Sequence, residues 1–191
     1  MNTSPDSSLL KNRTILVTGA SEGIGREAAI TYAKQGARVI LTGRNLQKLE
    51  LVRQTIDALH QQPASVLRLD LATATAEDYQ QFASEVAAIT PTLEGLLNNA
   101  GILGTLQPMA DISSEEWQLV LKINLDASFF LSQALLPLLL KANQASLVFT
   151  SSSVGRQGRA GWGTYSVSKF ATEGMMQVLA AEYKDSGLRV N

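Results

Sequence analysis

The sequence predicts a doubly wound parallel α/β sheet, and three observations carry that prediction. Short apolar runs rich in β-branched residues alternate with longer segments of helical periodicity along the whole chain. The runs are almost continuously apolar, as parallel strands buried on both faces must be. The Gly/Pro clusters fall at the ends of these segments, where turns belong.

Each element follows from that pattern in order. TILVTG (14–19) is the first strand, closed by glycine, and helical spacing runs from Glu27 to Gln35. ARVILTG (37–43) is the second strand, followed by a helix from Leu46 to His60. SVLRLDL (65–71) and LEGLLNNAG (93–101) are the third and fourth strands, with a helix from Ala76 to Ile89 between them. A helix from Ser114 to Ala142 leads to the fifth strand, ASLVFTSS (145–152), and a helix from Thr164 to Ser186 leads to LRVN (188–191). Parallel neighbours need such crossovers, because a two-residue hairpin can join only antiparallel strands. No repeat, linker or low-complexity tract divides residues 1–191, so a single domain is expected. LRVN reads as the start of a sixth strand, and a chain that stops there leaves the edge of the fifth strand uncovered. The sequence is therefore read as part of a longer fold, truncated after the start of strand six.

Composition narrows the function classes. The 191 residues are 45% hydrophobic and 17% charged, as in a soluble globular domain. Sixteen basic residues against seventeen acidic give a net charge of −1, so no basic field draws nucleic acid or anionic lipid. There is no cysteine and one histidine, His60, which removes thiolate chemistry and leaves little for a metal. The opening MNTSPDSSLL reads as a polar terminus without the pattern of a signal peptide, and a cytoplasmic location is expected. The run ASFFLSQALLPLLLKA is interrupted by Ser132, Gln133 and Pro137 and is expected to fall short of the ~18 residues of a membrane span. A buried or interface helix suits it better.

The first strand is followed by Thr18-Gly19-Ala20-Ser21-Glu22-Gly23-Ile24-Gly25-Arg26, which opens a helix. Glycines there allow a tight turn and a close backbone approach, and the helix N-terminus presents free N–H groups to a pyrophosphate. The strand-turn-helix-strand context makes this a dinucleotide site, and a Rossmann-like strand order of 3-2-1-4-5-6 follows. Gly19, Ser21, Gly23, Ile24 and Gly25 are the candidate binding residues on this turn. An NAD-binding unit would place Asp or Glu at the end of the second strand, where this chain has Gly43 and Arg44. An arginine fork pairs with a 2′-phosphate, so NADP(H) is favoured over NAD(H). Asp70 and Leu71 end the third strand, and Asn98, Ala100 and Gly101 end the fourth, at the strand ends where open α/β sheets bind ligands. Asp70 accepts from an adenine amino group or caps the next helix; both readings stay open.

Tyr165 and Lys169 lie four residues apart on a predicted helix and share one face. A neighbouring cation favours phenolate, which makes Tyr165 a general acid or base for a carbonyl/alcohol pair. Ser152, thirteen residues before Tyr165, offers a hydroxyl on the same rim. Ser151 and Ser153 are alternatives that strand alternation turns away. Arg156 and Arg159, in the Gly-rich loop between, contact an anionic group or are solvated.

These segments together resemble the short-chain dehydrogenase/reductase family in its single-domain subgroup. The likeness runs from Leu10 onward through the Thr18–Gly25 turn, Asp70, NNAG at Asn98 to Gly101, Asn124 in KINL, Ser152, Tyr165 and Lys169. Within the family it is similar to bacterial YciK-type oxidoreductases through FTSSSVGRQGRA and SKFATEGMMQVLA. The resemblance implies that Tyr165 transfers the proton and contacts the cofactor, Lys169 assists it and binds the nicotinamide ribose, and Ser152 holds the carbonyl oxygen. It implies that Asn124 holds a water that links Lys169 to solvent. It also implies a small-molecule carbonyl or alcohol substrate, and a homodimer or homotetramer formed through the two long apolar helices. Family members continue past RVN into substrate-covering structure, so the substrate is not legible here. Two rivals are weaker. Gly19-Ala20-Ser21-Glu22-Gly23 fits a hydrolase nucleophile elbow, but His60 is the sole candidate base. A non-catalytic NADP(H)-binding sensor or scaffold would have no need of the Ser, Tyr, Lys and Asn set.

Overall fold

The computed structural model describes residues 9–59 and 62–191. The expected polar terminus before Leu9, and His60, lie outside the described residues. Six strands form one sheet: β1 (Thr14–Thr18), β2 (Arg38–Gly43), β3 (Ser65–Arg68), β4 (Gly95–Asn98), β5 (Ala145–Phe149) and β6 (Leu188–Val190). Their order is β3-β2-β1-β4-β5-β6, with every neighbour parallel, as the sequence predicts.

Side-chain alternation splits the core into two layers. Leu16, Ile40, Leu96 and Leu147 face one side, against Phe82 and Val86 of α3 (Ala76–Ile89) and Leu135 and Leu139 of α5 (Ala127–Lys141). Ile15, Val17, Val39 and Leu41 face the other, against Ala29 and Ala33 of α1 (Gly23–Lys34) and Leu49, Val52 and Ile56 of α2 (Leu46–Asp57). β1 is buried at all five positions, which is why it reads as an unbroken apolar run. α6 (Gly163–Glu182) lays Met175, Met176 and Leu179 against the first layer.

The structure departs from the predicted boundaries where backbone chemistry intervenes. α1 starts at Gly23, four residues before the predicted Glu27: Glu22 is extended, and its carbonyl already accepts from Arg26 N at 3.3 Å. β3 stops at Arg68, so Asp70 lies in a turn beyond it. The predicted helix from Ser114 to Ala142 is α4 (Ser114–Leu121), a π-helical turn at Lys122–Asp126, and α5. That continuous run of 28 residues contains an 18-residue stretch of mean hydropathy 1.5 and is long and apolar enough to cross a membrane by length and composition, contrary to the sequence expectation. In the fold, however, it supplies core: Leu131, Leu135 and Leu139 are at most 1% exposed.

Because Leu135 is fully enclosed, truncation leaves a cavity that α5 cannot close by sliding on the sheet. Leu135→Ala is expected to lower the unfolding free energy by about 2–5 kcal/mol in urea titrations. A loss below ~1 kcal/mol would mean that α5 is not packed as described.

Candidate active site

The site is built at the carboxyl ends of the paired strands β1 and β4. The buried Thr18 hydroxyl donates to Leu97 O (3.3 Å) and accepts from the backbone N–H groups of Asn99 (2.9 Å) and Ala100 (3.0 Å). One side chain thus holds the segment leaving β4 against the end of β1. Asn99 adds a bond from its amide nitrogen to Thr18 O at 3.2 Å. The Gly-rich turn then folds over this clamp. Gly19 has φ +64°, and a Cβ at Gly25 would lie 2.3 Å from Gly19 O and 2.6 Å from Asn99 Nδ2. Among the described residues no side chain caps the N-terminus of α1, so its backbone donors are not taken by a local side-chain acceptor. A close-approach turn before such a terminus suits a pyrophosphate.

A cleft of about 280 Å³ opens there, lined by Gly19, Ser21, Arg44, Asp70, Leu71, Ala100 and Gly101 among others. The buried Thr42 hydroxyl also borders it and has no hydrogen-bond partner among the described residues. The glycine cradle, the free helix terminus, this orphaned hydroxyl and an exposed arginine together fit a dinucleotide. Not every residue marked in the sequence faces the cleft. Ile24 is 70% exposed and, like Gly23, is not part of its lining. Gly25 lies beneath the turn, and Asn98 points into the core, donating to Ser132 Oγ at 2.9 Å. Asp70 Oδ1 accepts from Ala72 N at 3.1 Å in the turn after β3, and the residue borders the cleft; the next helix, α3, is capped by Thr75, so Asp70 does not take the capping role weighed in the sequence.

The reactive end is assembled by α6. Lys169 is 4% exposed, and its Nζ donates to Thr150 O at 2.6 Å, just past β5. That Nζ lies 5.6 Å from the centroid of the Tyr165 ring. Burial pushes the Lys169 ammonium below its ordinary pKa. Ser152 begins a 3₁₀ turn (Ser153–Gly155), and its carbonyl accepts from Gly155 N at 2.9 Å. Strand geometry therefore ends before the serines, and this turn sets their directions. Ser153 is exposed, whereas the Ser151 hydroxyl stands beside Glu173 and is the first cause of that carboxyl lying below the usual range, with Arg156 adding to it. Arg156 pairs with Glu173 at 3.2 Å, and Arg159 is exposed.

Gly155 is a residue that sequence reasoning missed. A Cβ there would lie 2.9 Å from Lys169 Cβ and 3.0 Å from the Lys169 carbonyl, so only glycine lets the serine loop press on α6. The Ser166 hydroxyl adds a bond to Val154 O at 2.6 Å. The Gly-rich composition of the loop was the available signal, but which glycine meets the helix is a tertiary fact.

Asn124 sits in the π-helical turn and is 1% exposed. Its Oδ1 accepts from Ile102 N (2.8 Å), while Nδ2 donates to Ile102 O (2.9 Å) and Ser168 Oγ (3.1 Å). The side chain thus mimics a strand partner for the segment after Gly101 and ties it to α6. Both amide hydrogens are committed to protein. A π turn is a frequent device for aiming one helix residue at a site.

The family model for short chain dehydrogenases matches residues 13–191. The chain is 56% identical over 191 residues to the uncharacterized oxidoreductase YciK of Escherichia coli K12, covering all of this chain and 75% of that protein. A Shigella flexneri short chain dehydrogenase solved in complex with NADP superposes with a TM-score of 0.94 at 57% identity, over 97% of this chain and 77% of that one. A counterpart from Escherichia coli CFT073, in complex with NADPH, gives 0.95 at 58% identity, over 98% and 78%. The chain belongs to the short chain dehydrogenase family.

Burial of Lys169 has a consequence for stability. Its folded pKa is depressed, so over the interval between that value and the unfolded one, near ~10.4, the unfolded chain binds more protons and stability rises with pH. Lys169→Met removes this titration. The stability of the wild type relative to the variant is therefore expected to increase with pH across the alkaline range below ~10.4 in paired denaturant titrations. A flat or falling difference would show that desolvation does not dominate at this ammonium.

Proposed function

We propose that this short-chain dehydrogenase interconverts a carbonyl and an alcohol with NADP(H), Tyr165 serving as the general acid/base. The observation that carries the reading is Lys169: a nearly fully buried ammonium that faces the Tyr165 ring and is anchored on the carbonyl of Thr150, itself two residues before Ser152. A buried cation is costly unless its surroundings use it. The nicotinamide, when bound, supplies or accepts the hydride.

The chain's own residues do the rest. Backbone donors of the turn before α1 hold the pyrophosphate, and Arg44 pairs with the 2′-phosphate through its fork. The NADP and NADPH complexes of the two neighbours support this choice of cofactor. In the reducing direction the Tyr165 hydroxyl gives its proton to the carbonyl oxygen as the carbon gains hydride; in the oxidising direction the phenolate takes it back. The Ser152 hydroxyl donates to that same oxygen and holds it near Tyr165. Lys169 stabilises the phenolate form electrostatically and hydrogen-bonds the cofactor's ribose. Asn124 acts through position, fixing the Ile102 peptide and Ser168 around this group; any water it holds toward Lys169 must use acceptor capacity left over from those bonds. Exposed Leu119, Phe129, Phe130, Val167, Phe170 and Val178 on α4, α5 and α6 support a homodimer or homotetramer through these helices.

The test is NADPH oxidation across a panel of aldehydes and ketones, followed by nicotinamide absorbance. With any substrate the wild type turns over, Tyr165→Phe is expected to lower kcat by about 10²–10⁴-fold. NADPH affinity is expected to stay within about twofold, because the lost hydroxyl acts on the substrate oxygen and not on the phosphates. A variant with near-normal kcat would remove Tyr165 from the chemistry.

A further inference from the structure

Three cations surround the outer end of the cleft: Arg44, Lys48 and Arg68. Lys48 is spent locally, its Nζ lying 2.6 Å from Glu22 at the start of α1. The two arginines have no carboxylate within ion-pair distance among the described residues. Arg68 ends β3 in register with Gly43, the residue before Arg44. Its Nε donates to Arg44 O at 3.2 Å. That bond uses one of the five guanidinium donors and leaves both terminal nitrogens free. Arg44 and Arg68 line one depression beside the cleft, together with Asn45 and Asp70. Asp70 does not neutralise either arginine, and its Oδ1 accepts from Ala72 N. Two like charges on adjacent strand ends repel, and a dianion between them turns that repulsion into attraction from both sides.

We infer that Arg68 is a second ligand of the cofactor's 2′-phosphate, gripping it opposite Arg44 while holding Arg44's peptide in place. Arg68 thereby becomes a specificity-determining residue for NADP(H) over NAD(H). The inference rests on the cofactor reading above. It assigns the phosphate a two-arginine grip, with Arg68 from the end of β3 and Arg44 from just past the end of β2, where the sequence pointed to Arg44 alone.

Dissociation constants for NADPH and NADH, measured by nicotinamide fluorescence on the wild type, Arg68→Ala, Arg44→Ala and the double variant, test it. Arg68→Ala is expected to weaken NADPH by about tenfold and NADH by less than about twofold, the signature of a lost charge-assisted contact to the group that only NADPH carries. The loss is expected to persist, at about threefold or more, in the Arg44→Ala background. A parallel loss for NADH, or a loss that vanishes once Arg44 is gone, would overturn the inference, because Arg68 would then be a backbone strap only. A wild type without preference for NADPH would sink the cofactor reading and this inference with it. An NADPH preference undiminished in Arg68→Ala would sink this inference alone.

Discussion

Everything at the ligand end of this fold depends on one close approach, where the turn after β1 lies on the segment leaving β4. The sheet reverses its winding between these paired strands, so the connections that leave their carboxyl ends run to opposite faces and a crevice opens between them. The Thr18 hydroxyl prevents that crevice from widening, by bonding three backbone groups on the β4 side. Gly25 then lets the turn settle to within a distance at which any Cβ would strike the Gly19 carbonyl. Backbone donors, rather than long side chains, consequently form the floor of the cleft. Such donors are preorganised, and they can meet a phosphate without the entropy cost of ordering a flexible side chain.

The same economy of contact governs the other half of the site. Removing an ammonium from water costs several kcal/mol, and the short bond from Lys169 to Thr150 O offsets part of that cost. That bond also fixes where β5 hands over to the serine turn, and Gly155 lets the turn lie directly against the Lys169 backbone. Ser152, Tyr165 and Lys169 are therefore held as one unit. Asn124 closes the unit from behind, since the π turn aims its amide at Ile102 and Ser168 instead of at the next helical turn. A regular helix through Lys122–Asp126 would rotate that amide away.

How much of this was legible in the sequence follows from the range of each interaction. The order and type of the elements were readable, because strands buried on both faces and amphipathic helices are written in local periodicity. The Gly-rich turn, Arg44 and the Tyr165/Lys169 spacing were readable because they are local as well. The π turn was not: Lys122–Asp126 has good helical spacing, and what sets the turn apart is the tertiary contact Asn124 makes from it with the Ile102 segment and Ser168 of α6. Asn98 and Ile24 were marked for the cleft by their place in motifs, yet Asn98 turns to Ser132 in the core and Ile24 stands in solvent. Asp70 was left between two roles; Thr75 caps the next helix in its place, and Asp70 braces the turn after β3 through Ala72 N while it stays in the cleft wall. Gly155 and Arg68 escaped because each matters through a residue distant in sequence: Lys169 for one, Arg44 for the other.

The central claim is that the close-packed turn between β1 and α1 is a dinucleotide seat. Fluorescence titration of NADPH and NADH into the wild type and Gly25→Ala tests it most directly, since the added methyl forces the Gly19 carbonyl and Asn99 apart and leaves Arg44, Tyr165 and Lys169 in place. Saturable NADPH binding to the wild type is expected, with a loss of more than about tenfold for both cofactors in the variant at an unchanged circular dichroism spectrum. Absence of binding to the wild type, or equal affinity in a folded Gly25→Ala, would contradict it.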